Sequence, residues 1–511
     1  MTSTFHTLET AKRSLFAQQT TINTIGHNIA NANTEGYSRQ RVTMVASRPM
    51  EAFGMQRSLT AGQLGTGVEA TAIKRVRTAF LDDQFRNESK YVGSWSVQSD
   101  TLSKLESIVN EPSDSGIRSV MDKFYQAWSD LSKDPENVTS RKIIRETALA
   151  LTDSFNQTSK QLSDLSSDLT SSIDVKATQA NTYTDTISSL NSEIRRIESL
   201  GDDANDLRDQ RDLLVDKLSQ IVNVDVTELP DGYTVSMGGI NLVSGNTTIP
   251  LDGTSLEAAY QGGQLNNGEA FGMIVSRDKY VADYQKQLDS LANTLANGEI
   301  QVTIPAGSVL PGTGTATTQP QTITVNGING LHKLGYTLGD PATAGQDFFN
   351  FDTTSASGIT AASIRLNPVI ADDTNNIASS MRTTNVNGTD TVVKGNNTLA
   401  LLMSELGEVE FSFDQSATGN GISKATLNNF YSSMVGGLGV QSEEAQRQYS
   451  NSVAQQDQVE STRQSVSGVS LDEEMSDLVK FQHAYSAAAR FMTAFDEMLD
   501  KLINGTGQVG R

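Results

Sequence analysis

Residues 8–41, LETAKRSLFAQQTTINTIGHNIANANTEGYSRQR, decide the fold, because they set a heptad helix against an abrupt stop. Leu8, Leu15, Ile22 and Ile29 recur every seven residues, and Ala11, Gln18, Ile25 and Ala32 fill the interleaved positions. Such a repeat winds one apolar stripe along a helix and leaves it wet until a partner covers it. At residues 28–41 amides, a glycine, a tyrosine and two arginines replace the stripe. Asn31 and Asn33 tolerate left-handed backbone and Gly36 permits a turn, so the helix is expected to stop here. A plain stop needs neither Asn28 beside the seam nor Tyr37, Arg39 and Arg41 beyond it. The stretch therefore also reads as a recognition element.

The partner for the stripe is expected at the other end of the chain. Leu478, Tyr485, Met492 and Leu499 repeat every seven residues, as do Phe481, Ala488, Phe495 and Leu502. Charge favours the pairing: residues 1–50 hold five Lys/Arg and two Asp/Glu, or +3, and residues 471–511 hold four and seven, or −3. Gln18 and Gln482 are expected as polar seam positions that fix register. Seams at both ends around a different middle imply a chain that leaves and returns, which suits a rod-shaped subunit.

At 511 residues the chain exceeds one hydrophobic core, so two to four domains are expected. Only 6% of residues are aromatic, a balance that suits long helices and polar β modules better than large buried enzyme pockets. The net charge of −21 argues against nucleic acid and against anionic membranes as partners. No run approaches the roughly 20 apolar residues of a membrane span, and MTSTFHTLETAKRSLF has no apolar core of a secretory signal. There is no cysteine, and the four histidines form no metal pair, so no catalytic, cofactor or metal residue is expected.

The composition falls into zones. Residues 91–225 hold two prolines and three glycines and read as long helices, with Phe155, Leu162, Leu165, Leu169 and then Ile187, Leu190, Ile194, Ile197 at three-and-four spacing. Asp134-Pro135 marks a break between two of them. Residues 226–440 hold 27 of the 40 glycines and carry β signals such as VDVTELPDGYTVSMGGINLVSG, interrupted by one helix on Val281, Tyr284, Leu288, Leu291 and Leu295. The expected fold class is multidomain α+β: a long terminal coiled coil and helical bundle with an inserted β-rich outer domain. Its parts are 1–60 with 470–511, an inner helical domain; 61–225 with 425–469, a helical rod including a short β-hairpin; and 226–424, β-rich and interrupted by a helix at 279–297. Single residues read plainly: Asp472, Glu473 and Glu474 suit a helix N-terminus, His483 an exposed or interface position, and RDQRDLL at 208–214 a solvated face with local ion pairs. GTGTATT at 312–318 lacks the lysine of a phosphate loop.

Three motifs carry a resemblance. NIANANTEGYSRQRV, GQLGTGV at 62–68 and SGVSLDEEMSDLVKFQHAYSAAARFMTAFDEMLDKLI at 467–503 resemble the axial proteins of the bacterial flagellum. Interior segments, among them FYQAWSDLSKDPENVTSRKIIRETALALTDSFN and IRRIESLGDDANDLRDQRDLLVDKLSQIV, resemble the group that joins hook to filament, with hook or distal rod protein as the alternative. In that group the helix ending LDSLANTLAN runs almost directly into N-x-x-H-x-x-G, whereas here residues 299–325 intervene as a β-like insertion.

The resemblance implies a non-enzymatic structural subunit, extracellular, exported by the flagellar type III system without a cleaved signal. Its implied partners are copies of itself, hook protein, the second hook–filament junction protein and an export chaperone on the C-terminal helix. Its terminal helices are expected to be disordered in the monomer and to pair on assembly. The assembly residues implied are Leu8, Leu15, Ile22, Ile25, Ile29, Asn28, Asn31, Asn33, Gly36, Tyr37, Arg39, Leu478, Phe481, Tyr485, Met492, Phe495, Leu499 and Leu502. On this reading the basic hairpin faces acidic helices of a neighbour, and changing Asn33 or Tyr37 leaves monomer stability nearly unchanged.

Overall fold

The computed structural model describes residues 5–49, 65–109, 116–230, 232–351, 358–386, 388–413 and 422–505. Residues 62–64 of GQLGTGV and the border expected at 60/61 lie outside them. The heptads at the two ends form α1, Phe5–Ala30, and the last helix, Leu471–Gly505, and these two pack along one another. The chain divides into two compact units, one of Met1–Ser94, Val175–Phe271 and Ser450–Arg511, which holds both end helices, the other of Trp95–Asp174 and Gly272–Tyr449. These borders cut across the three zones expected from composition, because α2 (Ala79–Val109) and α4 (Val138–Glu198) each carry residues of both units.

In the first unit, β1 (Gln40–Ala46) and β2 (Val68–Arg75) pair antiparallel from Gln40↔Arg75 to Ala46↔Val68, with a bulge at Thr43/Met44. One face of this ribbon lies on α1 and the other is wet, hence its alternating burial. Helix α5, Asn205–Ile221, is followed by β3 (Asp225–Leu229), β4 (Gly232–Met237), β5 (Ile240–Ser244) and β6 (Thr247–Thr248), a meander in chain order. Tyr233, Val235 and Met237 of β4 alternate into the core, as a period of two requires. Gly232 sits at φ 124°, and a Cβ there would lie 2.7 Å from Asn191 Cγ. Asn191 uses that room: its Nδ2 donates to the carbonyls of Tyr233 and Gly245, and its Oδ1 accepts from the Tyr233 N–H.

In the second unit, α3 (Ile117–Lys133) buries Met121, Phe124, Trp128 and Leu131, and the rings of Phe124 and Trp128 meet Phe348 at centroid distances of 5.8 and 5.6 Å. The break at Asp134-Pro135 separates α3 from α4. Arg141, in the first turns of α4, is fully buried, has no carboxylate partner among the described residues, and donates to the carbonyls of Pro135 and Ile377 and to Ser379 Oγ. Burial holds its pKa down to about 10. His332 grips the same segment from the other side: its Nε2 accepts from the Ala378 N–H at 2.9 Å and its Nδ1 bonds the Gln346 carbonyl.

Two expectations for the glycine-rich zone need correction. The helix expected over 279–297 begins at Glu269: α7 (Glu269–Val275) passes through a π turn, Ser276–Val281, into α8 (Ala282–Asn297). A π turn adds one residue to a repeat and breaks the three-and-four pattern by which a helix start is read. The zone is also less purely β than its glycines imply. The insertion does form a hairpin, β7 (Glu299–Ile304) against β8 (Gln321–Asn326). The zone also holds short helices, α6 (Gly253–Gln261) with Asp252 in a capping box and Pro368–Asp372 with Asn367 capping ahead of Pro368.

Candidate functional site

The site grows from the end of α1. Asn31 closes the helix, its Nδ2 donating to the His27 carbonyl and its Oδ1 accepting from the Thr34 hydroxyl. Gly36 turns the chain at φ 79°, and a Cβ there would stand 3.0 Å from Leu213 Cβ, so this loop lies against α5 as only glycine allows. The returning strand then passes Asn28, which is 1% exposed. Asn28 Oδ1 accepts from the Gln40 N–H and the Tyr37 hydroxyl, and its Nδ2 donates to the Gln40 carbonyl and to Glu474 Oε2. One amide thereby imitates a strand partner for Gln40 and uses its full hydrogen-bonding capacity.

Glu474 is the far end of this joint. It is 2% exposed and accepts from Asn28 and, at 2.6 Å, from Arg39 Nε, while Arg39 Nη1 reaches Glu473 at 2.7 Å. The Arg39 N–H also donates to the Ser467 carbonyl. The last helix is therefore bolted at its first turn to the residues that end α1. Glu473 and Glu474 do stand in the first turn of the last helix, as expected, and Arg39 and Asn28 are in addition their specific partners. Tyr37 is tied to its own chain too, through Asn28 and His27 Nδ1 at 3.0 Å, and burial, Asp206 and other carboxylates nearby push its pKa up. Tyr37 is thus part of the monomer's own joint, contrary to the expectation that replacing it would leave stability unchanged. Asn33 is exposed and makes no side-chain hydrogen bond among the described residues.

Along the seam, Ile25 and Ala11 are buried, and Leu8, Leu15, Ile22, Ile29, Leu478, Phe481, Met492, Phe495 and Leu499 are half-buried. Tyr485 and Leu502 sit at its margin, 38% and 55% exposed. Gln18 lies in the seam, its Oε1 enclosed without a partner among the described residues, but Gln482 is exposed and cannot act as the second polar register residue. A straight helix drifts against a strict seven-residue repeat, which carries such positions out of the contact.

Behind the joint lies a buried ion network that sequence reading missed. Arg75 Nη1 binds Asp209 at 2.7 Å and Asp212 at 2.8 Å; Arg77 binds Asp82 at 2.7 Å; Arg86 binds Asp216 at 2.8 Å; and Arg463 binds Asp216 at 2.6 Å. Ser38 N–H donates to Asp209, and the Tyr233 hydroxyl to Asp212. Burial opposes the charge on Asp212, but Arg77, Arg75 and Arg86 together hold its pKa well below the usual carboxylate range. RDQRDLL is accordingly not a solvated face: Asp209, Arg211 and Asp212 are buried, and so is Asp216 just beyond it. The available signal was spacing, since Asp209, Asp212 and Asp216 share one helical face. Their arginines come from other segments, so the sequence alone leaves them looking local.

A groove of about 560 Å³ opens beside the joint, lined by Asn33, Glu35, Tyr37, Phe85, Asp457 and Arg463 among others. No helix among the described residues is long and apolar enough to cross a membrane.

Comparison with known proteins places this architecture. Residues 8–37 match the family described as Flagella basal body rod protein, and residues 460–505 match Flagellar basal body rod FlgEFG protein C-terminal. The paired ends joined at Asn28 and Glu474 thus define the class of flagellar axial proteins. Residues 102–299 match the Flagellar hook-associated protein FlgK helical domain. The chain is 34% identical to flagellar hook-associated protein 1 of Bacillus subtilis (strain 168), covering 100% of both, and 25% identical to that of Escherichia coli (strain K12), covering 97% of this chain and 99% of that one. It belongs to the flagellar hook-associated protein 1 family. The solved structure of the flagellar hook junction protein FlgK from Burkholderia pseudomallei shares the fold, with a TM-score of 0.52 and 15% identity over 75% of this chain and 100% of that one.

Proposed function

We propose that this chain is a structural subunit at the junction between hook and filament and that it enters the axial assembly through its paired end helices. The joint carries the reading: Asn28, Tyr37, Arg39 and Glu474 fasten α1 to the start of the last helix, so the two seams meet in register as one antiparallel rod. The rod keeps apolar side chains on its outside, including Phe5, Phe16 and Phe491, which a neighbouring copy would cover. The seam residues named above, with Asn28, Asn31, Asn33, Gly36, Tyr37 and Arg39, are the assembly residues on this reading. Hook protein lies on one side and the second junction protein on the other.

Export through the flagellar type III system, to an extracellular position, requires the chain to be threaded unfolded, and a chain without cysteine can be threaded without breaking disulfides. An export chaperone would take the last helix, whose Met475, Val479, Phe491 and Met498 are exposed. Gene deletion with electron microscopy tests the role. The expected cells carry intact hooks without filaments and shed flagellin into the medium; hookless cells would refute it.

A further inference from the structure

The ribbon sets two cations directly opposite each other. Arg41 and Lys74 are register partners across β1 and β2, both exposed, and among the described residues neither makes an ion pair or side-chain hydrogen bond. Like charges directly opposed on adjacent strands destabilise the pair. Thr43 and Val45 follow on the same wet face, with Glu69 opposite Val45, so the cationic end of the ribbon is confined to Arg41 and Lys74. Arg75 on the opposite face is anchored to Asp209 and Asp212, which prevents the wet face from turning onto its own unit.

The same unit carries a surface of the opposite sign. The groove beside Asn33 is lined by Glu35, Asp216, Asp457 and Glu460; Glu35 is paired with Lys217, Glu460 with Arg463, and buried Asp216 with Arg86 and Arg463, so Asp457 is the lining carboxylate left over. Asp457 is exposed and has no ion-pair partner among the described residues. Arg39, the first arginine of the hairpin, is already committed to Glu473 and Glu474, which leaves Arg41 and Lys74 to meet a neighbour.

We propose that the Arg41/Lys74 face of one copy seats against the groove between Asn33 and Asp457 of the next copy. The inference rests on the axial-assembly reading above and names the surfaces that make the contact. Two different patches meet, so the contact is heterologous and propagates into a ring or helix instead of closing as a dimer. Opposed charges at such a surface set register and exclude wrong pairings more than they add affinity.

Lys74→Glu separates this role from a merely structural one. It places a carboxylate opposite Arg41, so the isolated chain should melt at the same or a higher temperature while contact with the neighbour weakens. The chain has no natural cysteine, so Thr43→Cys on the ribbon with Gln464→Cys at the groove gives a clean disulfide probe in assembled flagella. Oxidation should yield a ladder of covalent multimers, reduced about fivefold in the Lys74→Glu background and restored by adding Asp457→Lys. Intact flagella with filaments attached but no ladder would overturn this contact and leave the junction role standing. A dimer without higher bands, a ladder indifferent to Lys74→Glu, or a Lys74→Glu chain that melts lower would each overturn it as well.

Discussion

Asn28 gives the sharpest test of the joint. Asn28→Ala removes its bonds to the Gln40 N–H, the Gln40 carbonyl, Glu474 and the Tyr37 hydroxyl. Gln40 is buried, and a buried backbone group left unpaired costs about 1–3 kcal/mol. Glu474 keeps Arg39. A cavity of about 350 Å³ lined by Gln40 and Glu474 can admit water to the vacated amide position, which favours the low end of that range for each group. The expected loss is therefore about 2–4 kcal/mol. Asn28→Asp is the informative companion. It keeps the acceptor for Gln40 N–H and Tyr37 but turns an oxygen toward the Gln40 carbonyl and the Glu474 carboxylate, so its pKa rises above the unfolded value. The folded state then binds the proton more tightly than the unfolded one, and the deficit fades as pH falls toward about 4. Urea unfolding from pH 4 to 8, with hydrogen exchange at the Gln40 amide, reads both effects. Equal losses for the two variants at every pH, or a loss below about 1 kcal/mol for Asn28→Ala, would refute the account of Asn28 as the hub.

Three further outcomes follow from the same geometry. His332 is fully buried, and burial pushes its pKa down to about 4 while its Nε2 accepts a backbone N–H; below its unfolded pKa near 6.5 the unfolded chain binds the extra proton, so roughly 3 kcal/mol of stability should disappear between pH 6.5 and 4. His332→Gln should flatten that dependence in a pH series of melts. Asp212→Asn leaves Arg75, Arg77 and Arg86 short of a buried carboxylate and should cost about 3–5 kcal/mol in chemical denaturation, whereas exposed Asp457→Asn should cost nothing measurable. A Cβ on Gly93 would stand 2.2 Å from the Gln220 carbonyl oxygen, so Gly93→Ala should lower stability by about 1–3 kcal/mol despite its better helix propensity, read as a fall in melting temperature.

Much of the site was legible because it is written in local patterns. Heptads at both ends specify helices with a wet stripe, and Gly36 specifies a turn. Asp134-Pro135 marks the break before the longest helix. The role of Asn28 was not legible, since a seam-side amide looks the same whether it bonds a neighbouring copy or the chain's own Gln40 and Glu474. The aspartates of α5 were misread for a related reason: charges three and four apart look solvated until arginines from distant segments close over them. The π turn at Ser276–Val281 hid the true start of its helix by shifting the phase of an otherwise regular pattern.

By itself, the sequence determined which segments are helical, where the chain turns and that its two ends match, because periodicity, propensity and turn chemistry act over a few residues. Only the tertiary structure decided that Glu474 receives Asn28 and Arg39, that four arginines and four aspartates share one buried network, and that Arg41 and Lys74 are left bare on the ribbon. These are pairings between groups hundreds of residues apart in some cases and a single strand apart in others. Their partners are selected by which surfaces the packed helices bring within hydrogen-bonding distance, and no local rule fixes that choice.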